Sequence, residues 1–204
     1  AKTAGTWPQF LNTIDYLVVA GGGSGGRDTG GGGGGGGYRA SGYGPSPLRS
    51  ASLKLAPGPF AIVVGGGAAQ PSWPSGPVQG NTGTNSSFNA PGTDLTDAIT
   101  SSGGGGAGGQ SPSAPLQTGL PGGSGGGSDG PAVPGGAGNA GGYTIVEGYA
   151  GGASNPAPNM DGSGGGGGAT EVGQSGPGSC QGGRGGAGAP NDITGAATSY
   201  SGGG

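Results

Sequence analysis

The sequence predicts an irregular, mainly non-α fold. The expected form is a glycine-rich bundle of packed polyglycine II helices, extended and left-handed, with a few short β-strands and a β-hairpin. Three observations lead there. Glycine supplies 63 of 204 residues, including eight in succession at 30–37. Short apolar stretches feed glycine runs: Tyr16-Leu-Val-Val-Ala20 precedes 21–26, Phe60-Ala-Ile-Val-Val64 precedes 65–67, and Tyr143-Thr-Ile-Val146 comes shortly before Gly151 and Gly152. The chain is also poor in the material of an ordinary core, with 28% hydrophobic and 7% charged residues, against about half and about a quarter in ordinary domains.

The backbone argument follows from what glycine lacks. From composition alone a Gly/Ser-rich chain is a flexible linker. If it is ordered, something must offset the entropy lost in fixing so many glycines. A polyproline II-type helix has three residues per turn, a rise of ~3.1 Å and no internal hydrogen bonds. Its N–H and C=O groups point outward and need neighbours once buried. Side chains would hold those neighbours apart, and glycine removes the obstacle. Inter-segment N–H···O bonds then act as the main glue, with Cα–H···O contacts as a supplement. Residues 30–37 would span ~25 Å on that rise. Collagen shares the glycine fraction, but eight consecutive glycines break its Gly-X-Y period, so the bundle must form within one chain.

The length is that of one domain. Residues 1–12, with Trp7, Pro8 and Phe10, read as a lead-in that attaches residues 13–204, a single glycine-rich domain. Its strands and hairpin fall in 13–67 and its glycine bundle with loops in 21–204. Residues 14–20 alternate with apolar side chains on both faces, which predicts a buried strand. Residues 38–43 read as a loop or bend. Residues 50–55 and 60–64 flank Pro57-Gly58-Pro59, a type II turn signal, and so read as a β-hairpin. Residues 68–91 are loop-like, and 94–99 could hold one helical turn. Further glycine-rich segments are 103–109, 122–130, 135–142, 162–168 and 182–188. Ala1 is not Met, and Gly202-Gly203-Gly204 stops within a motif; both suggest a piece of a longer chain.

Charge and chemistry narrow the function. A net charge of −3 gives little attraction for nucleic acid or an anionic membrane. No apolar run approaches the ~20 residues of a membrane span. Histidine is absent, which removes the commonest general base and metal ligand. Cys180 has no histidine to activate it and reads as inert. Lys2 and Lys54 fit no phosphate-binding loop, and G-x-G-x-x-G recurs by chance in so much glycine. The expectation is a protein that is not an enzyme and needs no cofactor or metal.

Aromatics in loops are the better lead. Tyr43, Trp73 and Tyr149, with Met160, lie in or beside polar or glycine-rich stretches and are candidates for contact with a sugar or protein receptor. The bland alternative is that such residues cover the ends of the glycine bundle.

Several motifs resemble one known family. Residues 16–26, Gly37-Tyr38-Arg39, residues 57–67, Asn81-Thr-Gly-Thr-Asn-Ser-Ser-Phe88, Asp192-Ile-Thr-Gly195 and Tyr200-Ser-Gly-Gly-Gly204 are similar to the glycine-rich domain of bacteriophage tail fibre and receptor-binding proteins. The resemblance implies a virion protein, exposed on the tail fibre or elsewhere. It implies an adhesin whose polyglycine II helices support loops that touch a bacterial surface glycan or outer-membrane protein. Other virion proteins would bind the N-terminal segment, and a homo-oligomer is compatible with the pattern. The alternatives are a structural glycine-rich virion decoration or extracellular fibre subunit, and an ice-binding bundle, for which regular Gly-X-X repeats are missing. Residues 68–91 and 110–134 depart from the family pattern in their proline content.

Overall fold

The computed structural model describes residues 12–55, 59–72, 79–89, 99–111, 114–155, 162–178 and 181–204. Two kinds of structure alternate along them: short strands, and long glycine segments whose backbone bonds go to other segments.

The strands are β1 (Asn12–Ile14), β2 (Leu17–Val19), β3 (Tyr38–Ser41), β4 (Arg49–Ser50), β5 (Leu53–Leu55), β6 (Ala61–Val63), β7 (Ser86–Asn89), β8 (Ile99–Ser101), β9 (Ala189–Asn191) and β10 (Thr198–Tyr200). They form four small sheets, β1-β5, β2-β3-β4, β6-β7-β8 and β9-β10. All pairs are antiparallel except β3 with β4. Among the described residues one helix, α1 (Ala114–Gln117), makes a single turn.

Strand β2 shows why both faces of 14–20 are apolar. Val18 packs with Tyr16, Leu53, Leu55 and Ile99, whereas Leu17 and Val19 pack with Tyr38, Ala40, Leu48, Ala169 and Ala189. The strand separates two small clusters, so each face meets a core. It is half-buried, and it does not run unbroken from 14: Asp15 and Tyr16 interrupt it. The Asp15 carboxylate accepts Ser41 Oγ at 2.9 Å and Ser52 Oγ at 2.5 Å, and Tyr16 N–H donates to Ser41 Oγ.

Four sequence expectations change. Residues 53–55 and 61–63 do not form a hairpin: β5 pairs with β1 (Ile14 opposite Leu53) and β6 with β7 (Ile62 opposite Phe88). Alternation identified the strands but carries no information about which partner each takes. Residues 38–41 are a strand paired to β2, not a bend, because Tyr38 and Ala40 point into the second cluster. Residues 86–89 are a strand within the stretch read as loop. The apolar run 143–146 forms no strand; Val146 packs against the second cluster as an isolated side chain. The proposed helical turn at 94–99 lies mostly outside the described residues, and Ile99 opens β8.

Strands run directly into glycine segments: β2 into 20–26, β6 into 65–68, β8 into 103–109 and β10 into 201–204, while 30–37 leads into β3 and 80–84 into β7. The glycine segments carry no regular strand or α-helix pattern, yet they are ordered by hydrogen bonds that repeat every third residue. Ala20, Gly23 and Gly26 donate to the carbonyls of Gly37, Gly34 and Gly31 in antiparallel sequence. Gly31, Gly34 and Gly37 donate to Gly108, Gly105 and Ser102, and Gly32 and Gly35 to Gly164 and Gly167. Elsewhere Gly125 and Ser128 donate to Tyr149 and Gly152, and Gly173 and Gly176 to Ala150 and Ala153. The bonds are 2.7–3.1 Å, with ordinary N–H···O geometry.

Segment 30–37 is the centre of this arrangement. Successive residues present donors and acceptors in different directions, and its neighbours are 20–26, 102–108, 124–127, 164–167 and 201–204. Close packing is what makes glycine obligatory here. A Cβ on Gly34 would stand 2.7 Å from the Gly125 carbonyl oxygen and closer still to that of Ser124. Where side chains occur inside the segments they are small and buried: Ser24, Ala107, Ser124, Ser128 and Ser154.

Candidate functional site

Side chains able to make specific contacts are concentrated where glycine segments end. The clearest case is the loop after β3. Gly42 sits at φ 59°, in the left-handed region that glycine tolerates best, and turns the chain outward. The Arg49 guanidinium donates to the Gly42 carbonyl, and Leu48 N–H donates to Pro45 O. Leu48 is buried and pins the loop's return to the second cluster. Between these anchors Tyr43 stands 51% exposed.

A second loop adjoins it. Strands β9 and β10 form a hairpin whose connection, 192–197, is largely exposed. Asn191, at its base, is buried; its Oδ1 accepts Ile193 N–H and its Nδ2 donates to the Tyr38 hydroxyl at 2.8 Å. The same hydroxyl lies beneath Gly44, where an added Cβ would meet it at 2.6 Å. Tyr38 therefore supports the Tyr43 loop and the 192–197 hairpin from one buried point. Burial raises the Tyr38 hydroxyl pKa above its ordinary value, opposed by the Asn191 bond and reinforced by Tyr200. Asp15, beside Gly42, is shifted the other way: the hydrogen bonds from Ser52 and then Ser41 hold its carboxyl below the usual range.

A third end of the bundle is built around Glu147, which is fully buried. Its Oε2 accepts Ser102 N–H at 2.8 Å and its Oε1 accepts Gly141 N–H at 2.9 Å. Its own N–H donates to Asn139 Oδ1, and its carbonyl accepts Tyr38 N–H. One carboxylate thus ties the end of β8 to the 139–148 turn. Nearby, the Arg39 guanidinium lies 3.9 Å from the Tyr143 ring centroid and donates to Thr100 O. Sequence pattern did not single out Glu147, because an isolated acid in a glycine-rich stretch looks like a solvated one.

Of the four contact candidates, Tyr43 is presented to solvent. Tyr149 is half-buried, and its backbone belongs to the bundle, donating to Gly168 O and accepting from Gly125 N. Trp73 and Met160 lie outside the described residues, as does Cys180. The exposed apolar side chains that sequence reasoning missed are Phe60, Ile62, Val63 and Val64. Phe60 stacks on Phe88 with ring centroids 5.6 Å apart, and the other three border a groove between β2 and β7. Their alternation suggested a strand with an inner face; β6 lies at the sheet's edge and is exposed on both. Among the described residues no three His, Cys, Asp or Glu side chains gather as a metal site, and no helix is long and apolar enough to cross a membrane.

These features define a class: a glycine-rich, mainly non-helical domain ordered by backbone pairing between distant segments. The chain matches the glycine-rich domain family over residues 1–204 and belongs to it. No curated protein and no solved structure matches it.

Proposed function

We propose that this chain is a non-enzymatic bacteriophage virion component: the adhesin domain of a tail fibre or tail tip. Its glycine segments act as polyglycine II helices, and its end loops touch a bacterial surface glycan or outer-membrane protein. The three-residue repeat of the hydrogen-bond ladders supports the scaffold part of this reading, since three residues per turn is the period of that helix. The observation that carries the adhesin part is the division of labour in the chain. Its interior is bare backbone, while exposed Tyr43 and the 192–197 connection stand together on one buried support. A rigid scaffold with aromatic and polar loop tips suits surface recognition, since tyrosine offers a large, stiff contact with a polar end. Residues 1–12 would attach the domain to neighbouring virion proteins.

The test is binding of the purified, labelled protein to bacterial cells of candidate hosts. Tyr43→Ala should weaken binding by about tenfold or more, as loss of a central aromatic contact does. Its stability should stay within about 0.5 kcal/mol of the parent, as for other exposed positions. Binding unaffected by Tyr43→Ala and by replacement of 192–197 with a short glycine turn would reject these loops as the contact. A location inside a particle, with no cell binding at all, would favour the structural-subunit alternative.

A further inference from the structure

The ladder around segment 30–37 has six directions, three for N–H and three for C=O groups. Donors at 31, 34 and 37 face 102–108, and donors at 32 and 35 face 164–167. Carbonyls at 31, 34 and 37 face 20–26, and those at 32 and 35 face 124–127. The Gly33 carbonyl accepts Gly204 N–H, and that of Gly36 accepts the Ser201 hydroxyl. Five directions are filled by the chain itself. The sixth belongs to the N–H groups of Gly33 and Gly36, which have no hydrogen-bond partner among the described residues.

The neighbours also bond to one another in circular order. Segment 102–108 joins 20–26 to 124–127, and 164–169 joins 124–128 to 201–204. The ring is open between 201–204 and 20–26. A groove of about 540 Å³ lies there, lined by Gly22, Gly23, Gly25, residues 32–36 and residues 201–204. The carbonyls of Ala20 and Gly23 border it and are likewise unpaired among the described residues. Gly36 is buried, so its idle donor carries a desolvation cost unless something fills the groove.

Glycine usage points the same way. At interior positions a Cβ would collide with backbone. At Gly22, Gly25, Gly202 and Gly204 it would meet nothing closer than 3.5 Å, and none of the four has a left-handed φ. The folded chain by itself has no steric need for glycine there, although glycine loses more conformational freedom on folding than alanine. A further backbone packed in the groove would create that need.

We infer that this groove is an interface for a second copy of the chain, which seats its own residues 60–67 in it. The groove requires an extended backbone that offers both C=O and N–H groups and has no side chains in the glycine part. Beyond Val19 it continues into an apolar groove of about 570 Å³, lined by Leu17, Phe88, Ile193 and Tyr200 and also by this chain's own Ile62, Val63 and Val64, so a partner's 60–64 would lie beside them. The occupant must therefore carry an apolar stretch next to bare glycine. Residues 60–67 have that pattern and are displayed outward. Phe60, Ile62, Val63 and Val64 are exposed, and β6 is an edge strand, a template for pairing with another chain. A Cβ would meet nothing within 4 Å at Gly66 and only Gly22 O, 3.8 Å away, at Gly67. The N–H of Gly67 and the carbonyls of Gly65 and Gly67 are unpaired among the described residues. Reciprocal seating around a two-fold axis closes the assembly.

The inference rests on these hydrogen bonds and not on the adhesin reading. Its test is sedimentation velocity of the full chain over about a hundredfold concentration range, which covers about two decades of Kd. The expected result is a concentration-dependent monomer–dimer equilibrium. Gly204→Leu, whose side chain would start 3.5 Å from the Gly33 nitrogen in the groove, and Gly66→Leu, which blocks the ridge, should each weaken it by about tenfold or more. Both sites have room in the monomer, so circular dichroism should remain that of the parent. A monomer at every concentration, or a dimer that both variants leave intact, overturns the inference. Cell binding is measured separately, so either proposal can fail without the other.

Discussion

Gly34→Ala is the smallest change that should break the bundle. Gly34 N–H donates to Gly105 O and its carbonyl accepts Gly23 N–H, both at 2.9 Å. The added methyl would lie 2.7 Å from Gly125 O and closer to Ser124 O. Real Cβ atoms do not approach backbone oxygens so closely, so segments 30–37 and 124–127 must separate. That separation strains two bonds at Gly34 and two more nearby, from Ser124 to Gly35 and from Gly127 to Gly32. Losing two of the four costs about 2–6 kcal/mol if the buried groups are left unpaired. The methyl returns about 0.4–1 kcal/mol by restricting the unfolded chain. The net expectation is a loss of about 1–5.6 kcal/mol, a large part of a typical 5–15 kcal/mol stability. Gly182→Ala is the matched control: with nothing closer to the new methyl than Ser163 Oγ at 3.7 Å, only the unfolded-state gain of about 0.4–1 kcal/mol remains. Urea unfolding of the two variants beside the parent measures both. Equal and slightly stabilising effects would refute the reasoning, because a linker treats all glycines alike.

Other perturbations probe the ends of the bundle. Glu147→Gln should destabilise by about 1–3 kcal/mol, because its amide nitrogen cannot accept one of the two backbone N–H groups now bound; chemical denaturation reads this. Tyr38→Phe should cost about 1–3 kcal/mol by leaving buried Asn191 Nδ2 without its acceptor. The Tyr38 hydroxyl pKa is raised on folding, so above the ordinary tyrosine value of 10.0 the unfolded chain loses this proton first. Stability should then fall with rising pH, less steeply in Tyr38→Phe. Asp15 has the opposite sign: its folded pKa is lowered from 3.8. Its contribution is complete above that value and is lost as pH falls through the folded pKa. An NMR titration should place the Asp15 midpoint below 3.8, and Asp15→Asn should flatten the acid limb of the stability profile.

The sequence carried the architecture at the level where glycine itself is the signal. A run such as 30–37 can be neither α-helix nor ordinary core, and backbone pairing between segments is what remains. The apolar leads into 21–26 and 65–67 were legible as strands for the same local reason, a period of two. Partner choice was not legible. Nothing in Leu53-Lys54-Leu55 says that it pairs with 12–14, and a turn signal at 57–59 made the neighbouring strand look like the natural partner. Glycine carries no side-chain label at all, so the link from Gly32 to Gly164 rests on overall packing. The exposed Tyr43 was legible because it stands in a loop between turn-forming residues. The role of Tyr38 was not, since its support of two loops depends on Asn191, 153 positions away.

Residue-resolved amide hydrogen exchange of glycines 31–37 tests the central claim most directly. The ladders predict slow exchange at Gly31, Gly32, Gly34, Gly35 and Gly37, whose N–H groups are bonded to other segments. At low protein concentration Gly33 and Gly36 should exchange faster, repeating at the third position. Uniformly fast exchange through the run, or protection that alternates every second residue as in a strand, would contradict the account.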